Sequence, residues 1–164
     1  MATDPSRLTH RPISMEDLDP YADFLADPEC TRYLLYPEPH ARELSESLLE
    51  RAVSMHDGTI GMYTLFDCDE LVGWAGYQRR ELDGLPGVEL GWLIRKKHWG
   101  KGYATEAAVA LRALGPQRVL HLIHPENARS IAVARHLEAT HEGDTVIAGG
   151  PVSIYVSLGQ RDAR

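Results

Sequence analysis

Cysteine is almost missing from this sequence: Cys30 and Cys68 are the only two in 164 residues. They are too few for a disulfide framework or a thiolate metal cluster, and the reading is a reducing cytoplasm. Long apolar runs are missing too, since none approaches the roughly 20 residues that cross a bilayer. Met1-Ala2-Thr3-Asp4-Pro5 has neither the basic start nor the apolar stretch of a secretory leader, so a membrane is not an expected partner. Repeats, low-complexity tracts and Pro- or Ser-rich linkers are lacking as well. Residues 1–164 therefore read as one domain, long enough to bury a core of its own. Positive charge is in the minority, with 17 Lys and Arg against 24 Asp and Glu and a formal net charge of −7. That balance argues against nucleic acid.

What is present is pattern. Leu8-Thr9-His10-Arg11-Pro12 reads as a short strand ended by proline. Asp19 before Pro20 has the form of a helix N-cap with proline in the first turn, and Phe24 and Leu25 supply apolar contacts. Apolar residues at 41, 44, 48, 52 and 55 mark a helix from Ala41 to Met55. Strands from Thr59 to Phe66 and from Leu71 to Gln78 flank the turn Asp67-Cys68-Asp69-Glu70. A second turn cluster, Asp83-Gly84-Leu85-Pro86-Gly87, precedes a strand from Val88 to Arg95. Gly102 to Leu114 is an alanine-rich helix with Ala104, Ala107, Ala108, Leu111 and Leu114 on one side, stopped by Gly115-Pro116. A strand from Arg118 to Ile123, a helix from Ala128 to Leu137 and strands at 145–147 and 152–158 complete the pattern. This order is that of a mixed α/β domain, not a regular βα alternation.

The dense cationic cluster of an otherwise acidic chain, Arg95, Lys96, Lys97, His98 and Lys101, falls between a strand and a helix. Within it stands Gly100-Lys101-Gly102. The first amides of a helix have no internal partners and carry the positive end of its dipole. Flanking glycines keep side chains away from an anion placed there, so the segment describes a phosphate or pyrophosphate cradle. A P-loop is excluded, because Gly102 follows Lys101 and Arg95 stands where its first glycine belongs. The dinucleotide fingerprint is disfavoured, because Thr105 occupies the third glycine position and several strands come before it.

A third architecture fits. The chain resembles the GNAT N-acetyltransferase superfamily, and within it the branch named for ribosomal-protein N-terminal acetyltransferases, the Rim type. The resemblance is carried by Leu8-Thr-His-Arg-Pro12, Asp27-Pro-Glu-Cys-Thr-Arg-Tyr-Leu34, Leu71-Val-Gly-Trp-Ala-Gly76 and Val88-Glu-Leu-Gly-Trp-Leu93. It continues in Trp99-Gly-Lys-Gly-Tyr-Ala-Thr-Glu-Ala107 and Pro125-Glu-Asn-Ala-Arg-Ser130. It implies a mixed, mostly antiparallel sheet flanked by helices and splayed near Leu93 to Arg95. It also implies an acetyl-CoA-dependent transfer to a primary amine, either a protein N-terminus or a small molecule. Pantetheine would pair with backbone groups of Leu93, Ile94 and Arg95. The pyrophosphate would rest on the amides of Trp99, Gly100, Lys101, Gly102, Tyr103, Ala104 and Thr105, and Asn127 would touch the cofactor. Lys97 stands where relatives often carry Arg or Gln and keeps a cation there.

Acyl transfer from a thioester needs a neutral amine, an oxyanion donor and an acid for the thiolate. An alkyl ammonium has a pKa of about 10, so a base must remove its proton. Glu89 shares a strand face with Gly91 and Leu93, opposite Val88, Leu90, Trp92 and Ile94. The residues alone leave two roles open, a desolvated base or a strand-start glutamate paired with Arg79 or Arg80; the resemblance favours the base. A backbone N–H near Leu93 or Ile94 would meet the oxyanion. Many relatives place an acidic tyrosine after the helix that follows Asn127, but this chain reads Arg135-His-Leu-Glu-Ala-Thr-His-Glu-Gly143. Ser130 is then the fallback acid, although Asn127-x-x-Ser130 also reads as a helix N-cap. His121 and His124 face opposite sides of a strand, so no metal site is expected and His124 stays in reserve as a base. Trp74, Trp92 and Tyr33 read as core or cleft wall, with Tyr33 and Tyr36 in the loop that borders the acceptor in relatives. The alternative is a non-catalytic module that senses acyl-CoA or binds a partner. Oligomeric state stays open, a homodimer included.

Overall fold

The computed structural model describes residues 7–159. Its strands are β1 (Leu8–Pro12), β2 (Met62–Asp67), β3 (Glu70–Leu82), β4 (Leu85–Ile94), β5 (Arg118–Ile123), β6 (Thr140–Ile147) and β7 (Gly150–Leu158). They form one sheet in the order β1-β2-β3-β4-β5-β7-β6. All neighbours are antiparallel except β4 and β5. The helices are α1 (Leu18–Ala26), α2 (Pro28–Thr31), α3 (Arg42–Ser54), α4 (Tyr103–Leu114) and α5 (Ala128–His136).

Local chemistry sets the strand ends. Asp83 (φ 51°) and Gly84 (φ 76°) both take left-handed backbone, which closes a hairpin in two residues. The expected five-residue turn therefore shrinks, and Leu85, Pro86 and Gly87 join β4 opposite Leu82, Glu81 and Arg80. Thr59 and Ile60 do not enter β2, because Asp57 Oδ1 accepts both of their amides, at 2.9 and 2.7 Å, in a side-chain turn. β6 runs back to Thr140, a mostly exposed edge with an irregularity between His141 and Gly143. Its polar residues give no apolar alternation to read.

The start of α1 differs from expectation. The residue before the helix is Asp17, not Asp19, which sits in the first turn and pairs with Arg42 at 2.6 Å. Asp17 is 1% exposed. Its carboxylate takes two Arg11 nitrogens at 2.7 and 3.0 Å, Thr64 Oγ1 at 2.6 Å and Ser14 N–H at 3.0 Å. A buried charge is tolerated only with such full pairing, and this one ties β1, α1 and β2 together.

Two apolar layers sandwich the sheet. On one side α1 and α3 pack with Ile13, Met62 and Trp74, joined by Leu93. On the other, α4 and α5 cover Tyr77, Leu90 and Val119, joined by Trp92. Ala107 and Ala108 are buried, as their small size allows a close helix–sheet approach, but Leu114 overruns the sheet and is exposed. Among the described residues no helix is long and apolar enough to cross a membrane.

Candidate active site

β4 and β5 touch at one register pair, Glu89↔Leu120. Beyond it the strands diverge, and α4 and α5 begin on either side of the fork. The polarity of the fork follows from one bond. Arg95 N–H donates to Val72 O at 2.9 Å, directly across the β3–β4 register. In an antiparallel ladder bonded and non-bonded pairs alternate, so Leu93 also addresses β3 while Trp92 and Ile94 present their backbone groups to the fork. The Ile94 carbonyl accepts from Trp99 Nε1 at 2.7 Å. Arg95 is engaged at both ends, since its carbonyl accepts from His98 N–H at 2.8 Å.

Gly100 (φ +75°) and Gly102 (φ +82°) shape the loop into α4. A Cβ on Gly100 would meet nothing within 4 Å; the glycine is needed for its left-handed backbone rather than for space. Among the described residues the amides from Gly100 to Thr105 donate no hydrogen bond, as expected at a helix start. Arg7 clamps this loop: it donates to Lys101 O at 2.5 Å, pairs with Glu106 at 2.8 Å and lies 4.2 Å over the Tyr103 ring. Tyr103 in turn donates to Asp67.

The cationic cluster is largely neutralised by the protein itself. Lys97 pairs with Glu70 and Lys96 with Glu29. His98, 3% exposed, lies 3.5 Å from Glu70, and burial pushes its pKa down. Among the described residues Lys101 makes no ion pair, so it is the cation left beside the open amides. Arg129, from the first turn of α5, stacks 4.4 Å over the Trp99 ring and adds a second positive charge at the rim. Stacking between elements leaves no trace in residue spacing, and the sequence reading missed it.

Glu89 and Ser130 approach the fork from opposite faces. The Glu89 side chain is 13% exposed and accepts from Arg80 Nε at 2.5 Å. Burial raises its pKa above the ordinary carboxylate value and Arg80 opposes that rise. Desolvation and the Arg80 pair, set apart as rival readings of the sequence, thus coexist. Ser130 Oγ accepts from Trp92 Nε1 at 3.2 Å, which leaves its own hydrogen free to donate. Asn127 Oδ1 accepts Ser130 N–H at 3.2 Å and caps α5, with its amide nitrogen free of that role. His124 stacks on Tyr33 with centroids 5.1 Å apart. Its Nδ1 accepts Glu126 N–H at 3.2 Å, so a neutral ring holds its hydrogen on Nε2. In that tautomer its Nε2–H is a donor. His121 points the other way, to Leu90 and Ser157.

Two cavities flank this region, the second of them touching Arg95. A cavity of about 340 Å³ sits between α4 and β1–β3, lined by Leu8, Tyr63, Tyr77 and Leu111 among others. Another of about 150 Å³ is bounded by Phe24, Cys30 and Lys96. Neither contains Glu89 or Ser130. Glu89, Ser130 and the open amides of the loop into α4 all lie at the ends of the β4–β5 fork.

Comparison with known proteins agrees with this fold. The acetyltransferase (GNAT) domain family matches residues 7–140. An N-acetyltransferase of Bacillus licheniformis, p20, is 27% identical over 148 residues, covering 84% of this chain and 81% of its own. A GNAT-family acetyltransferase structure from Bordetella pertussis superposes with a TM-score of 0.78 at 25% identity, over 95% of this chain and 98% of its own. A ribosomal L7/L12 α-N-protein acetyltransferase, solved with coenzyme A, shares the fold with a TM-score of 0.74 at 18% identity, over 93% and 94%. The chain belongs to the acetyltransferase (GNAT) domain family and is an N-acetyltransferase.

Proposed function

We propose that this chain, acting as a single cytoplasmic domain, transfers an acetyl group from acetyl-CoA to a primary amine by direct attack on the thioester. The observation that carries this reading is the run of open amides from Gly100 to Thr105 at the start of α4, beside the unpaired Lys101. Such a helix terminus binds a diphosphate by hydrogen bonds and dipole together. A fold relative is solved with coenzyme A, which supports that cofactor for this chain. Lys101 and Arg129 add charge, and the fork-facing groups of Trp92 pair with the pantetheine arm beside the Ile94 N–H, which faces the acyl oxygen. Leu93 and Arg95, whose backbone groups address β3 and the following turn, then contribute through position and side chain, and Asn127 through its free amide nitrogen.

Acetyl-CoA supplies the acyl group and the thiolate leaving group. Glu89 takes the ammonium proton, directly or through water, to leave a neutral nucleophile. Its raised pKa makes it a stronger base than an exposed glutamate, and Arg80 limits that rise. As nitrogen bonds to the carbonyl carbon, the Ile94 N–H at the fork meets the oxyanion. The carbon–sulfur bond breaks, the Ser130 hydroxyl gives its proton to the thiolate, and the second proton shed by the new amide nitrogen restores the hydroxyl. Tyr33 and His124 border the acceptor side. The acceptor is a protein N-terminal amine, as in the Rim type, or a small-molecule amine.

Thiol release from acetyl-CoA over a panel of amines and N-terminal peptides tests this reading, with mass spectrometry of the products. Acceptor-dependent release is expected. Coenzyme A binding without any such release would instead mean a non-catalytic acyl-CoA module.

A further inference from the structure

The β4–β5 ladder stops after one pair, and a side chain stands where its next bond belongs. Gly159 N–H donates to Gln117 O at 2.6 Å, directly across the β5–β7 register. By alternation Leu122 therefore addresses β4 with its backbone, just as Leu90 addresses β5. A continued parallel ladder would join Leu122 N–H to Leu90 C=O. Instead, that carbonyl accepts from His121 Nδ1 at 3.2 Å.

The ring is locked in this role from behind. Arg112 Nε donates to Ser157 Oγ at 3.0 Å, so the single Ser157 hydroxyl hydrogen turns to His121 Nε2 at 2.9 Å. With Nε2 accepting, the ring hydrogen of neutral His121 sits on Nδ1, aimed at Leu90. Arg112 is itself held by Pro116 O at 2.7 Å and Gln117 O at 2.9 Å. The Trp92 ring lies 5.6 Å from the His121 ring and reaches Ser130 with its indole N–H. His121, 1% exposed, thus braces both walls of the fork.

We propose that His121 is a positioning residue that ends the β4–β5 ladder by taking the Leu90 carbonyl and so holds open the slot for the pantetheine arm of acetyl-CoA. The slot's occupant rests on the functional reading above; the wedge itself does not. Without the imidazole, Leu122 N–H takes the Leu90 carbonyl, the strands zip one step further and the slot narrows.

Two measurements on His121→Leu and His121→Asn test this. Amide exchange reads the wedge without cofactor: the Leu122 amide is expected to exchange more slowly in His121→Leu than in wild type, and unchanged exchange overturns the proposal. Calorimetry with coenzyme A and the acetyl-CoA KM read the slot. His121→Leu is expected to weaken both about tenfold, or about 1.4 kcal/mol, with kcat nearly kept. His121→Asn, whose amide nitrogen replaces Nδ1, is expected to regain most of that affinity although it too loses the Ser157 bond. Affinity that falls in both variants in step with thermal stability means a merely structural role and overturns the proposal. Should His121→Leu not fold, Ser157→Ala frees the tautomer and is expected to raise the acetyl-CoA KM at constant kcat; an unchanged KM overturns it. A wild-type chain that binds no coenzyme A is a separate failure, that of the functional reading.

Discussion

Glu89 and Arg80 set the pH behaviour of the site between them. In its proposed role Glu89 must be ionised to act as a base, so kcat/KM is expected to fall as pH drops through its folded pKa, which burial has raised. Arg80 pulls that pKa down. Replacing Arg80 by Met is therefore expected to move the acidic limb of the kcat/KM profile to higher pH, and an unmoved limb would show that the pair is idle. Glu89→Gln is expected to cut kcat about 100-fold, within the range of general-base catalysis, while calorimetric affinity for coenzyme A holds. Equal loss in both, or none in kcat, removes Glu89 from the base role. The face of Glu89 was legible from strand alternation. Its partner was not settled there, because Arg79 and Arg80 are both near in sequence and only the diagonal across the β3–β4 hairpin selects Arg80. The Arg129–Trp99 stack and the His121 wedge were not legible at all, since both depend on how separate elements meet.

At the scale of elements, left-handed residues decide where segments begin and end. α5 closes with Glu138 N–H on Arg135 O at 2.9 Å and Ala139 N–H on Ala134 O at 3.0 Å. This is the Schellman pattern, with Glu138 (φ 57°) in the position that glycine usually fills. Glu138→Gly is accordingly expected to gain about 0.5–1 kcal/mol of stability, read by urea denaturation; a loss would mean that the Glu138 side chain carries a contact of its own. Gly102→Val places a β-branched residue at φ +82° and is expected to cost about 1–3 kcal/mol and to weaken coenzyme A binding. Thermal unfolding and calorimetry together check it, and unchanged binding would detach the loop from the phosphates. α4 was legible because it follows the 3.6-residue stripe, whereas α3 lies where its stripe placed it but buries Ser45 and Leu49 and leaves Leu44 and Met55 exposed. Strand ends were less so, as β6 is a polar edge and the Asp83-Gly84 turn needs only two residues.

For the whole molecule, folding and protonation are linked through the same buried groups. His121 has its pKa pushed down from 6.5 to about 4, mainly by burial, with nearby Arg112 adding to the effect. Unfolding therefore binds a proton in that window. Stability held above pH 6.5 is lost as pH falls towards 4, by up to about 1.4 kcal/mol per pH unit. Glu89 works in the opposite sense, since its raised pKa adds stability at low pH and loses it as pH rises. Urea denaturation across this range is expected to give a shallower pH slope in His121→Asn than in wild type; equal slopes would mean that His121 is not held neutral.

The proposed transfer depends on a helix start that binds a diphosphate, and titrating the wild-type chain with coenzyme A in a calorimeter tests that most directly. Saturable heat that weakens as salt screens Lys101 and Arg129 is the predicted result. A flat titration at low salt would contradict it.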